Sequence, residues 1–166
     1  MRSKLLVFVL VIISAASPLV DNSAAQSALA AVDLECTAPY PSGTVEIEVH
    51  PGATLTGYSD CTVSNPSAHT EKIEIQVTAD GLVSSAPSLF TLAAGAEKDF
   101  QVVVRADSRM TMQGRSLVVT ATVSEMSNIP PPNIADSQVN LIINILQFAE
   151  LNLEMVEAFK KIEVGS

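Results

Sequence analysis

Apolar and polar residues alternate with a period of two in run after run along this chain. Val45-Glu46-Ile47-Glu48-Val49 is the plainest case, with three β-branched side chains of one parity and two carboxylates of the other. Successive side chains of an extended strand point to opposite faces, so such a run is stable only with one face on a core and the other in water. Lys72-Ile73-Glu74-Ile75-Gln76-Val77-Thr78 repeats the pattern, and so does Lys98 to Arg105, with Phe100, Val102 and Val104 inward. Turn-forming clusters separate the runs: Tyr40-Pro41-Ser42-Gly43, His50-Pro51-Gly52, Asn65-Pro66-Ser67-Ala68-His69, Ala79-Asp80-Gly81 and Ala94-Gly95. Punctuation of this kind, about every 10 to 15 residues, marks an all-β sandwich or barrel.

Further runs complete the count. Val32 to Cys36 alternates with Val32, Leu34 and Cys36 on one face, and Thr54 to Ser64 places Leu55, Gly57, Ser59, Cys61 and Val63 on one parity. Leu89 to Leu92 makes a short strand. Ser116 to Val123 is apolar on both parities, the pattern of a central strand covered on both sides, and Pro130-Pro131-Pro132 forbids regular structure just beyond it. The last strand is Gln138 to Gln147. Seven or eight strands suit two antiparallel sheets packed face to face, an immunoglobulin-like β-sandwich. With 166 residues, 48% of them hydrophobic, the chain has material for a single core, and its lack of tryptophan excludes the buried central tryptophan of antibody domains.

The N-terminus has another character. Met1-Arg2-Ser3-Lys4 is basic, Leu5 to Ile13 is uninterruptedly apolar, and small residues follow. This is the layout of a secretory signal helix. Ser23-Ala24-Ala25 and Ala28-Leu29-Ala30 both offer small residues at the positions a signal peptidase reads, which puts cleavage between Ala25 and Ala31. An uncleaved anchor is the alternative, disfavoured because the apolar run falls short of the roughly 20 residues that span a bilayer. The domain plan is a signal over 1–30, a sandwich over 31–148 and a tail over 149–166. In that tail Phe148, Leu151, Met155, Phe159 and Ile162 share a helical face, which favours a short helix from Glu150 to Lys161. Leu151, Leu153 and Met155 also alternate as a strand would, and a linker to a further domain is the third reading.

Export implies an oxidising compartment, where an even number of cysteines favours a disulfide. Cys36 and Cys61 are the two, each on the inward parity of its strand. A zinc site is not implied, since two thiols without a histidine pair or further cysteines do not complete a tetrahedral shell; His50 and His69 both fall in turns.

The order of features resembles a known family. Pro51-Gly52, then a strand closing Cys61-Thr62-Val63-Ser64-Asn65-Pro66, then Ile73 to Gly81, Leu92-Ala93-Ala94-Gly95-Ala96-Glu97 and the Phe100 to Val104 strand are similar to CARDB-like and alpha-galactosidase-associated Ig-like domains of prokaryotic secreted and cell-surface proteins. The similarity covers roughly Thr44 to Gln147. It implies a turn through the asparagine of Val63-Ser64-Asn65, and a Gly95-Ala96-Glu97 step before the returning strand. It also implies a non-catalytic adhesion, spacer or carbohydrate-associated module, with neighbouring Ig-like domains as its usual context; this chain holds one copy.

No catalytic set emerges. The two histidines lie in separate turns, no Gly-x-Ser-x-Gly elbow is present, and the seven glycines form no phosphate-cradling loop. No cofactor is expected. The net charge of −9 argues against nucleic acid. Asp60, Asp80, Asp99, Asp107 and Asp136 stand near strand ends, yet form no calcium-loop run, so they read as solvated loop acids. Arg105, Arg109 and Arg115 bracket the 106–114 loop with Met110 and Met112 between them, the only local excess of positive charge in an acidic chain. That group is the candidate contact surface for a protein partner or an anionic surface glycan; the bland alternative is a solvated loop whose methionines fold over the sandwich edge. The expected protein is therefore a secreted or cell-surface interaction module, not an enzyme, with a carbohydrate-binding accessory domain as the second reading. It touches a membrane only through an uncleaved signal segment.

Overall fold

The structure is a computed structural model, and it describes residues 28–147. Residues 1–27 of the expected signal segment and the tail from residue 148, with its expected helix, lie outside the described residues. Nine strands are formed among the described residues: β1 (Asp33–Thr37), β2 (Val45–Val49), β3 (Thr56–Ser64), β4 (Glu71–Thr78), β5 (Val83–Ser85), β6 (Leu89–Leu92), β7 (Glu97–Arg105), β8 (Gln113–Met126) and β9 (Asp136–Gln147). They make two sheets, ordered β1-β3-β7-β5 and β2-β9-β8-β4-β6. Nine replaces the expected seven or eight because Val83-Ser84-Ser85 is too short, with one apolar residue, to show a period; it forms by pairing with Val103 to Arg105 of β7.

The alternating runs do what their chemistry requires. β2 shows Val45, Ile47 and Val49 buried, with Glu46 and Glu48 outward. Ile73 and Ile75 of β4, Phe100, Val102 and Val104 of β7, and Ile143 and Ile145 of β9 meet them between the sheets in one continuous core.

Three expectations need correction. The sandwich is not wholly antiparallel, because β2 runs parallel to β9 from Val45↔Ile143 to Val49↔Gln147. The chain leaves the first sheet after β1, crosses at Tyr40-Pro41-Ser42-Gly43 and joins the second sheet in the same direction as its last strand. β8 is central, between β9 and β4, but only one of its faces is fully covered: Leu117, Val119, Ala121 and Val123 are buried, whereas Val118 and Thr120 are half-buried and Thr122 is exposed. Its second apolar parity reflects β-propensity on a half-covered face rather than burial. β3 begins at Thr56 instead of Thr54, since Leu55 takes a left-handed backbone (φ 61°) that breaks the strand.

Cys36 and Cys61 form the disulfide. They are directly opposed in the β1–β3 register, with Cα atoms 4.1 Å apart, near the short spacing of a non-hydrogen-bonded antiparallel pair. The bridge therefore staples two neighbours within one sheet and makes no covalent link between the two sheets.

Candidate functional site

The strand registers sort the loops into two ends. At one end lie the 65–70 and 93–96 turns, the 127–135 connection and the residues leading into β1. At the other lie the 50–55 turn, the 79–82 turn, the 106–112 loop and the end of β9. All five residues of the expected contact surface belong to this second end.

They are not equivalent there. Arg105 closes β7 opposite Thr56 on one side and Val83 on the other. It is exposed, and among the described residues no acidic partner holds its guanidinium. With Leu55, Gly81, Val83, Ala106, Asp107, Ser108 and Met110 it lines an open hollow of about 590 Å³. Leu55 is fixed by its left-handed backbone, and its carbonyl accepts the Ala106 N–H at 2.9 Å, which ties the floor of the hollow to the end of β7. Asp107 accepts the Arg109 N–H at 2.9 Å, a tight side-chain turn that starts the loop. Met110 packs partly on the core, whereas Met112 is 67% exposed and Val83 72%. Arg109 is exposed and, like Arg105, has no ion-pair partner among the described residues.

Arg115 stands apart. On β8, its Nη1 donates to the Asp80 carbonyl at 2.8 Å and lies 3.8 Å from the Asp80 carboxylate. It holds the Asp80-Gly81 turn in place and so supports the hollow from behind. The structure brings Arg105 and Met110 together at the hollow, sets Arg109 and Met112 in the adjoining loop, and gives Arg115 a positioning task. Sequence reasoning missed Leu55 and Val83: Leu55 was read as an inward strand residue, and Val83 belongs to the unread strand.

The other candidates disperse. Asp60 accepts Gln101 Nε2 at 3.0 Å and Asp99 accepts the Thr62 hydroxyl at 2.7 Å, both across strands on the outer face of the first sheet. Among the described residues no group of three or more His, Cys, Asp or Glu side chains is placed to hold a metal ion. His50 faces Glu48 at 3.4 Å, and His69 is exposed. The two tyrosines pair on the same outer face, Tyr40 and Tyr58, with ring centroids 5.7 Å apart and planes tilted by 55°. Burial first of all pushes the Tyr40 phenol above its usual 10, helped by nearby Tyr58, Glu46 and Asp60 and opposed by a backbone hydrogen bond at Tyr58.

No family model matches the chain, and no curated protein matches it. Its fold is nonetheless shared. A native alpha-2-macroglobulin from Escherichia coli, spanning domain MG7 to the C-terminus, is similar over 72% of this chain at 18% identity with a TM-score of 0.51; the chain spans only 17% of that protein's length. A FixG-related protein from Vibrio parahaemolyticus matches over 68% of this chain and 95% of its own, at 8% identity and a TM-score of 0.45. The ASH/PapD-like domain of human CEP192 matches over 81% and 97%, at 12% identity and a TM-score of 0.44. At these identities the macroglobulin likeness establishes an immunoglobulin-like β-sandwich and nothing of what the sandwich binds.

Proposed function

We propose that this chain is a non-catalytic, extracytoplasmic interaction module of the adhesion or spacer kind, whose contact surface is the hollow at the Arg105 end. The observation that carries the reading is Arg105 itself: an exposed, unpaired cation at the rim of a 590 Å³ hollow, beside exposed Val83, in a chain of net charge −9. Arg105 shares the hollow with exposed Val83 and with the Asp107 carboxylate, a setting that suits an apolar ligand whose anionic group is set at Arg105. β5 lies at the edge of its sheet, so an extended partner segment has a backbone to pair with next to that cation. The disulfide fits an oxidising compartment. The resemblance to CARDB-like domains points to the same class of module.

The test is charge reversal. Purified chain is measured against a panel of acidic-apolar peptides and anionic glycans, alongside an Arg105→Glu, Arg109→Glu variant. The variant is expected to lose at least tenfold in affinity, the wild-type binding is expected to weaken with salt, and the melting temperature is expected to stay put. Equal binding by both proteins refutes the assignment of the surface.

The carbohydrate reading rests on Tyr58, which is 39% exposed beside Tyr40 and could stack on a sugar ring. It predicts a glycan-array signal that Tyr58→Ala abolishes and the arginine reversals leave intact.

A further inference from the structure

Among the described residues Glu71 is the only charged side chain that is fully buried. It shares the inward parity of β4 with Ile73 and Ile75. Its Oε1 accepts the Ala31 N–H at 3.1 Å, while Oε2 has no partner among the described residues. A buried carboxylate is strongly unfavourable unless a cation or a full set of donors faces it. No lysine, arginine or histidine of the described residues stands within ion-pair distance. Lys72, its neighbour in sequence, holds Glu125 at 3.0 Å, and the arginines belong to the opposite end of the sandwich.

The atom nearest to supplying that charge is the Ala31 nitrogen. Ala31 follows Ala28-Leu29-Ala30, one of the two stretches with small residues where a signal peptidase reads them. We propose that processing occurs between Ala30 and Ala31, and that Glu71 is the receptor for the α-ammonium group this creates. Hydrolysis of that peptide bond leaves a carboxylate on Ala30 and a protonated amine on Ala31. An amide nitrogen with one proton satisfies only Oε1; an ammonium with three reaches Oε2 as well and brings the missing charge. This rests on the reading of residues 1–30 as an export signal.

Two features oppose the cut: Ala30 is buried against the core, and one side chain holds its backbone. The Asn133 side chain brackets Ala30, accepting its N–H at 3.0 Å and donating to its carbonyl at 2.9 Å. Asn133 is half-exposed, so water can take over both bonds after cleavage. Glu71 Oε2 is sealed from water in the uncut chain, and its deficit is the larger one.

The test begins with the exported chain, expressed with its own residues 1–30 in a secreting bacterial host and recovered outside the cytoplasm. N-terminal sequencing and intact mass are expected to show Ala31 first. A start at Gln26, or any start that keeps Ala30, overturns the proposal and leaves export standing; recovery of the uncleaved chain overturns both. A second arm reads the ion pair. Ala28 is exposed, so Ala28→Lys removes the small residue from the recognition stretch without entering the core. Glu71→Gln is expected to lower the folding equilibrium constant at least tenfold in the chain that begins at Ala31, and less than threefold in the Ala28→Lys background. Equal losses in the two backgrounds also overturn the proposal.

Discussion

Gly57 sits on β3 where the first sheet comes nearest to β2, and its replacement by alanine tests how the two sheets are held. A methyl group there would lie 2.6 Å from the Glu46 carbonyl oxygen, 2.8 Å from Val45 Cγ1 and 2.9 Å from Ile47 Cγ1. Val45 and Ile47 are fully buried, and the oxygen belongs to the backbone of a strand locked onto β9. None of the three can retreat without moving β2. Overpacking of a filled core costs about 1 to 3 kcal/mol, and an immovable backbone contact places Gly57→Ala at about 3 kcal/mol. The unfolded chain loses freedom when glycine becomes alanine, which offsets about 0.7 kcal/mol. Gly57 has no positive φ, so backbone strain adds nothing. The net expectation is about 2 kcal/mol, or a melting temperature about 8 °C lower in a domain of this size. Differential scanning calorimetry on wild type, Gly57→Ala and Gly114→Ala measures it. Gly114 is the control, since an added methyl would meet Asn144 Oδ1 at an ordinary 3.9 Å. If Gly57→Ala melts within 2 °C of wild type, the sheets are not in the tight contact argued here.

Three further perturbations address other links in the fold. Asn65 is fully buried; its amide donates to the carbonyls of His69, Leu92 and Ala93, and its oxygen accepts the Ser67 N–H, so Asn65→Ala is expected to cost about 3 kcal/mol in denaturant unfolding. The Cys36–Cys61 bridge spans 25 residues, and Cys36→Ser with Cys61→Ser is expected to lose about 3.5 kcal/mol in the chain-entropy account, with reduction of wild type reproducing the loss. In a Tyr58→Phe variant, Tyr40 is the sole tyrosine, and its absorbance titration is expected to have a midpoint above 10. A phenol whose folded pKa is raised favours the folded state while it is neutral, so the stability it contributes is present below pH 10 and fades as the pH climbs through the folded value.

The sandwich was legible because a strand with one buried face must alternate, and the β2, β4 and β7 runs do so with few departures, such as Val103. Cys61 shared a parity with Val63, and that made the staple readable before any fold was known. What escaped had no local signal. The parallel pairing of β2 with β9 joins segments about a hundred residues apart, and nothing in Val45 to Val49 distinguishes a parallel partner from an antiparallel one. β5 contains one apolar residue in three. Ser127 and Asn128 both take positive φ in the two-residue turn that pairs Met126 with Ile129, yet Ser-Asn is a poor version of the Asn-Gly signal for such turns. At the candidate site, charge counting found Arg105 and Arg109, but only the Asp80 contact separates Arg115 from them.

The two ends of the sandwich are tied differently, and this difference is a ground for the proposed contact surface. At the end where β1 begins, buried or half-buried polar side chains cross-tie distant segments: Asn65 gathers the 65–69 and 92–96 turns, Asn133 brackets Ala30, Glu71 meets Ala31, and the Leu34 N–H reaches Ser137 in the facing sheet at 3.2 Å. Each tie links residues that only the finished fold brings together, so that end is specified by polar geometry. At the Arg105 end the charged groups turn outward, and the loops are tied by backbone bonds, the Ala106 N–H to the Leu55 carbonyl among them, and by Arg115 at the Asp80 turn. Exposed Val83 and Met112 stand beside unpaired cations. An apolar exposed side chain contributes nothing to the stability of the free domain, whereas covering it on a partner is favourable at roughly 25 cal/mol per Å² of apolar surface. Ile129 and Ile134 are exposed at the first end as well, so what favours the Arg105 end as the proposed contact surface is the setting of two arginines with exposed Val83 and Met112 at and beside one hollow.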